Sequence, residues 1–129
     1  MNKRKRTERI ELMENLYQYD LYNSANLAFI PRFEIEENEN VFFKIVDKLD
    51  HIDDIIENNL YHYSLYRLNF VDRAIVRLAT YELLYTDLAK QIIINEAVEL
   101  TKTYTNLDDE GQRKFNNKLM DQIAKAIRG

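Results

Sequence analysis

The chain has 129 residues, 46% of them hydrophobic and 31% charged, which suits one globular domain with a real core. Two glycines and one proline are too few for the turns of an all-β protein, so helices are expected throughout. The absence of cysteine excludes disulfides and thiolate chemistry, and a net charge of −4 speaks against a general nucleic-acid coat. Even so, the first nine residues gather Lys3, Arg4, Lys5, Arg6 and Arg9 against Glu8 alone. A basic tip on an acidic body suits one localised phosphate contact, or else a solvated, frayed end. No apolar stretch follows it, and no run approaches the roughly 18 apolar residues of a membrane span, so neither signal peptide nor anchor is expected and the cytoplasm is the natural location.

Ile10, Met13, Leu16, Tyr17 and Leu21 recur at helical spacing, so the basic tip opens a first helix of about four turns. Residues 22–40 break that period, contain Pro31 and end in an acidic, Asn-rich run, which reads as a connector. Phe42, Ile45, Leu49, Ile52, Ile56 and Leu60 then form one amphipathic stripe, predicting the longest helix of the chain. The short aromatic segment 62–70 bends the chain between two helical halves. Residues 71–85 are apolar on most sides, with Arg73, Arg77 and Thr80 as a narrow polar strip, and predict the central, most buried helix. Asp87 is the expected start of the next helix, with Ile93, Ala97, Leu100, Thr101 and Tyr104 on one face. Residues 105–111 loop out, and a last helix turns Phe115, Leu119, Ile123 and Ile127 inward.

Reactive chemistry finds little support. His51 and His62 lack companions at metal-ligand spacing, so no metal or other cofactor is expected. Ser24 and Ser64 lack the glycines of a nucleophile elbow, and there is no Gly-rich phosphate loop. Adjacent carboxylates such as Asp53 and Asp54 point about 100° apart on a helix and read as solvated faces. Glu82 is different, because it shares a face with Ile75, Leu78 and Ala79 and must find a donor. That donor is either one of the chain's own arginines or a cation on a partner. Asn95 and Glu96, after three isoleucines, read as residues that organise a helix start through free N–H groups and the helix dipole. Lys102 and Thr103 stand within reach of Glu96 and Glu99 as polar neighbours on the same helix.

Taken together, Arg67-Leu68, Val71 to Ile75, Tyr81 to Leu83, Ile94 to Lys102 and Phe115 to Asp121 resemble, in order, the motifs of the NusB family of bacterial transcription antitermination factors. The basic segment ending in Leu16-Tyr17 is similar to that family's arginine-rich first helix. Tyr63 stands where the family usually has Trp, Ala89 where it has Pro, Asn116 and Lys118 where it has Val and Gly, and Glu8 and Leu12 where it has small residues.

The resemblance implies an all-α protein of two small helical bundles packed into one compact domain, an N-terminal part over about residues 1–62 and a C-terminal part over about 63–129. It implies no catalysis. It implies binding to the small-subunit ribosomal protein NusE and, jointly, to single-stranded boxA RNA of rRNA leader transcripts within the RNA polymerase antitermination complex. Homodimerisation is a further implication. Carried over to this chain, the RNA-facing residues are Lys3, Arg4, Lys5, Arg6, Arg9, Lys114, Asn117 and Asp121, with Tyr66 available for base stacking. The partner face includes Tyr17 and Glu82. Two other readings compete: a helical adaptor without RNA binding of its own, and an rRNA-modifying methyltransferase, for whose separate catalytic domain 129 residues leave no room.

Overall fold

The structure, a computed structural model, describes residues 3–61, 63–105 and 110–129, with side chains from Lys5 onward. Every regular element among them is helical: α1 (Lys3–Ser24), α2 (Glu36–Asp47), α3 (Leu49–Asn58), a 3-10 turn at Leu65–Arg67, α4 (Phe70–Tyr85), α5 (Lys90–Tyr104) and α6 (Glu110–Arg128). The expected all-α class is what these residues form, and NusB structures share it.

The helix α1 is longer than its apolar period suggested, and near its basic start Arg6 and Arg9 tie it to α5 and α4. It buries Leu12, Met13 and Leu16 and ends where Asn26 takes a left-handed conformation (φ 58°), which asparagine tolerates better than most residues. The connector after it is pinned to α1 by polar contacts. Glu11 accepts from the backbone N–H groups of Glu34 (2.7 Å) and Ile35 (3.3 Å) and from the buried amide of Asn38 (2.9 Å). A carboxylate from another helix thus holds the chain leading into α2, whose first residue follows Ile35 with no capping side chain.

The stripe from Phe42 to Leu60 is divided, where one long helix was expected. Lys48 (φ −98°, ψ 6°) separates α2 from α3. A one-residue break escapes the periodicity, because Phe42, Ile45, Ile52 and Ile56 on its two sides all enter the same core.

The central position of α4 follows from its composition. It opens on Asn69, whose side-chain oxygen accepts from the Asp72 N–H at 2.8 Å, and it packs against α1, α3, α5 and α6. Its polar strip is buried, and both arginines of the strip are ion-paired to other helices. Arg77 donates twice to Asp53 of α3 (2.9 and 2.8 Å) and lies 3.4 Å from Asp20 of α1, while Arg73 stands 3.3 Å from the same Asp20. Asp53 therefore does not belong to a solvated face. Burial pushes its carboxyl above the ordinary value in spite of Arg77. Burial also lowers the Arg73 guanidinium, which lies over Phe70 (4.3 Å) and Tyr66 (4.8 Å).

At the far end, Arg128 of α6 reaches back to the carbonyls of Glu82, Leu83, Thr86 and Leu88, placing a cation at the C-terminus of α4. Tyr63 holds the bend to α6 by an edge-on contact with Phe115 (5.9 Å), and Arg67 covers both rings.

Candidate nucleic-acid and partner interface

The basic tip of α1 lies against α4 and α5, and its cations fall into distinct environments. Lys5 is exposed and lies 3.6 Å from Glu8. Arg6 donates from Nε and Nη2 to the two oxygens of Glu96 on α5 (3.2 and 3.1 Å). The Arg6 side chain is 53% exposed while that of Glu96 is only 6% exposed, so a buried anion holds a surface cation. The hydrogen bond to Glu96 raises the Arg6 guanidinium above its ordinary value. Arg9, expected among the solvent-facing cations, turns inward instead. Its Nε donates to Glu82 at 2.9 Å, and Nη2 makes an ion-pair contact at 2.6 Å whose angle departs from hydrogen-bond geometry. Lys3 belongs to α1, but its side chain and that of Arg4 lie outside what is described.

The pairing of Arg9 with Glu82 supplies the donor that a carboxylate on an apolar face required, and it comes from the chain itself. Burial nevertheless pushes Glu82 above the ordinary carboxylate value, with Arg9 opposing.

Asn95 and Glu96 do not organise a helix start. The helix α5 begins at Lys90 after Ala89, a residue with no capping side chain, so the pair falls in the second turn. Asn95 accepts from Gln91 at 3.0 Å, and Glu96 turns to α1. Of the neighbours foreseen on α5, Glu99 does lie 3.7 Å from Lys102.

Two adjoining clefts extend the tip across α5 to α6. The first, about 470 Å³, is lined by Arg6, Asn95, Glu96, Glu99 and Lys102 among others. The second, about 260 Å³, is lined by Lys102, Arg113, Lys114 and Asn117 beside Val98, Thr101 and Glu110. Val98 and Lys102 belong to both, so Arg6, Lys114 and Asn117, distant in sequence, share one continuous surface. Asp121 is exposed one turn after Asn117 on α6. The buried Oδ1 of Asn117 has no hydrogen-bond partner among the described residues. Lys102 and Arg113 are cleft cations that sequence reasoning did not pick out. Their only signal was a cation on each of two helices whose mutual approach had to be known first. Tyr66 is 78% exposed but lines neither cleft.

The two residues expected on a partner face, Tyr17 and Glu82, do not meet in one place. Tyr17 lines a cleft of about 280 Å³ with Met13, Glu14, Gln18, Val71 and Tyr104. Glu82 lines a smaller one with Lys5, Arg9, Leu12, Asn38 and Tyr81.

A small helical scaffold with a surface where Arg6, Lys102, Arg113 and Lys114 stand among Glu96, Glu99 and Glu110, and an aromatic cleft elsewhere, belongs to the class of binding proteins. The model of the NusB family matches residues 6–125, and the chain belongs to that family of transcription antitermination proteins. The transcription antitermination protein NusB of Aliarcobacter butzleri is 39% identical over 120 residues, covering 86% of this chain and 89% of the relative. That of a Nitratiruptor species is 39% identical over 122 residues, covering 88% and 86%. Among solved structures, T. maritima NusB is similar at a TM-score of 0.78 and 32% identity, over 97% of this chain and 93% of that one. A NusB crystallised with NusE and double-stranded RNA is similar at a TM-score of 0.74 and 25% identity, over 98% and 99%. No helix among the described residues is long and apolar enough to cross a membrane.

Proposed function

We propose that this antitermination factor works by binding single-stranded boxA RNA of rRNA leader transcripts jointly with NusE, as part of the RNA polymerase antitermination complex in the cytoplasm. The observation that carries this reading is the continuous surface from Arg6 through Lys102 to Arg113 and Lys114. Phosphates bound there release counterions, so affinity falls steeply with salt. Lys5, Arg6 and Lys114 contact phosphates, with Lys3 and Arg4 extending the tip. Asn117 offers its amide N–H groups and Asp121 its carboxylate to base edges, and Tyr66 offers a stacking face at the margin. Arg9 contributes by fixing α1 through Glu82, because its guanidinium is buried. The partner face centres on Tyr17 and its cleft, with Glu82 acting through the position of α1. Homodimerisation through the same face would compete with NusE, which sedimentation of the free protein measures.

The internal pairing of both Arg6 and Arg9 favours a second reading, an adaptor that binds protein but not RNA. Titration of a labelled boxA RNA at two salt concentrations, with and without NusE, separates the two. Antitermination through RNA predicts partner-enhanced, salt-sensitive binding. Each lost single-strand phosphate contact should flatten the salt slope by about 0.7, so Lys5→Ala with Arg6→Ala should flatten it by about 1.4. NusE binding with no RNA binding at any salt would leave the adaptor standing.

A further inference from the structure

We infer that Glu96 is a positioning residue for RNA, holding the Arg6 guanidinium from beneath so that its free edge faces a phosphate. This inference rests on the RNA-binding reading above. The long-range ion pairs among the described residues fall into two kinds. In Arg9–Glu82 and Arg77–Asp53 the cation is buried with its carboxylate, and the pair ties helices together. In Arg6–Glu96 the carboxylate is buried and the cation is half exposed. Burying a carboxylate without burying its cation adds little to packing and carries a desolvation cost. What the arrangement achieves is orientation.

The orientation is specific. Glu96 takes the Nε and Nη2 edge of the guanidinium, and Nη1 carries no bond to any described residue. A guanidinium gripped on one edge by a carboxylate keeps its remaining N–H groups in a fixed fork, the geometry that suits a phosphate. Arg6 stands at the end of the continuous cleft surface that includes Lys102, where an RNA backbone crossing that surface would arrive. Fixing a long side chain before binding also removes an ordering cost that a free arginine pays on contact.

The sign of the effect makes the inference testable. If Glu96 acted only through its charge, neutralising it would strengthen binding to a polyanion. If it positions Arg6, neutralising it weakens binding. The protein with NusE is titrated with labelled boxA RNA as wild type, Lys5→Ala, Arg6→Ala, Arg6→Lys, Glu96→Gln and Arg6→Ala with Glu96→Gln. We expect Glu96→Gln to weaken binding by about 3- to 10-fold, the loss that corresponds to freeing one long side chain. Arg6→Lys should lose a similar factor, because an ammonium keeps the charge but not the fork. In the Arg6→Ala background, where only the charge of Glu96 is left to act, Glu96→Gln should not weaken binding. Unchanged or tighter binding by Glu96→Gln, an equal loss in the Arg6→Ala background, or wild-type affinity in Arg6→Lys would each overturn the inference. Arg6→Lys decides the matter should Glu96→Gln fail to fold. The RNA-binding reading is judged separately, by the wild type and Lys5→Ala. If the wild type binds no RNA, both fall.

Discussion

Removing the Glu82 carboxylate tests whether the pair with Arg9 is a structural element. Arg9 is 5% exposed and Glu82 12%, with Nε donating at 2.9 Å. In Glu82→Ala the guanidinium stays buried without its carboxylate, which costs about 3–5 kcal/mol. A domain of this size has about 5–15 kcal/mol of total stability, so the variant sits near the edge of folding. At roughly 3–5 °C per kcal/mol, its melting temperature falls by about 10–25 °C. The control is the double variant Arg9→Met with Glu82→Leu, which removes both charges and fills their volume. Replacing a buried pair with apolar groups is often neutral or stabilising, so the double variant should melt within about 1 kcal/mol of wild type. Urea unfolding followed by far-ultraviolet circular dichroism measures all three proteins. A loss below about 1 kcal/mol for Glu82→Ala, or a double variant no more stable than the single, would refute the reasoning. The same result bears on function, because any loss of NusE binding by Glu82→Ala must be read at a temperature where the variant is folded.

Asn69→Ala removes the side-chain oxygen that accepts from Asp72 and should cost about 1 kcal/mol in urea unfolding. Arg128→Ala frees carbonyls at the end of α4 and should cost about 1.5–3 kcal/mol, with faster amide exchange over residues 82–90 as its local sign. Burial raises the pKa of both Glu82 and Asp53, so the folded state holds their protons more readily than the unfolded chain does. Their stabilising contribution is full below the ordinary values of 4.5 and 3.8 and is lost as pH rises past them. Urea unfolding across that range should show a smaller pH dependence in Glu82→Gln than in wild type. Tyr17→Ala should weaken NusE binding by about 10-fold or more, as expected for a central aromatic contact, while leaving the melting temperature within a few degrees. Calorimetric titration with purified NusE measures it.

The helices that were legible in the sequence are those whose apolar period was strong and whose partners were interchangeable apolar surfaces. Residues 71–85 read as the central helix because only a narrow strip was polar, and α4 is that helix. The destinations of the polar residues were not legible. Arg77 meets Asp53 24 positions away, Arg6 meets Glu96 90 positions away, and Glu11 holds the backbone at the far end of a connector. Such contacts are set by how helices pack, and local spacing carries no trace of them. The start of α5 was misplaced for a local reason. Asp87 and Asn95 offered capping side chains, whereas the helix opens after Ala89 with none. That shift turned Glu96 from a helix-start residue into a buried ligand of Arg6. In the same way, a count of cations at the N-terminus treated Arg9 as equal to Lys5 and Arg6, although the helical turn places it against α4.

The central claim is that RNA lies along the surface from the α1 tip across α5 to α6. Its most direct test is heteronuclear NMR mapping of backbone amides as unlabelled boxA RNA is added to the labelled protein with NusE bound. The account predicts perturbations concentrated at residues 5–6, 95–102 and 113–121, with 42–58 unchanged. Perturbations confined to 42–58, or none along α5 and α6 while RNA is bound, would contradict it.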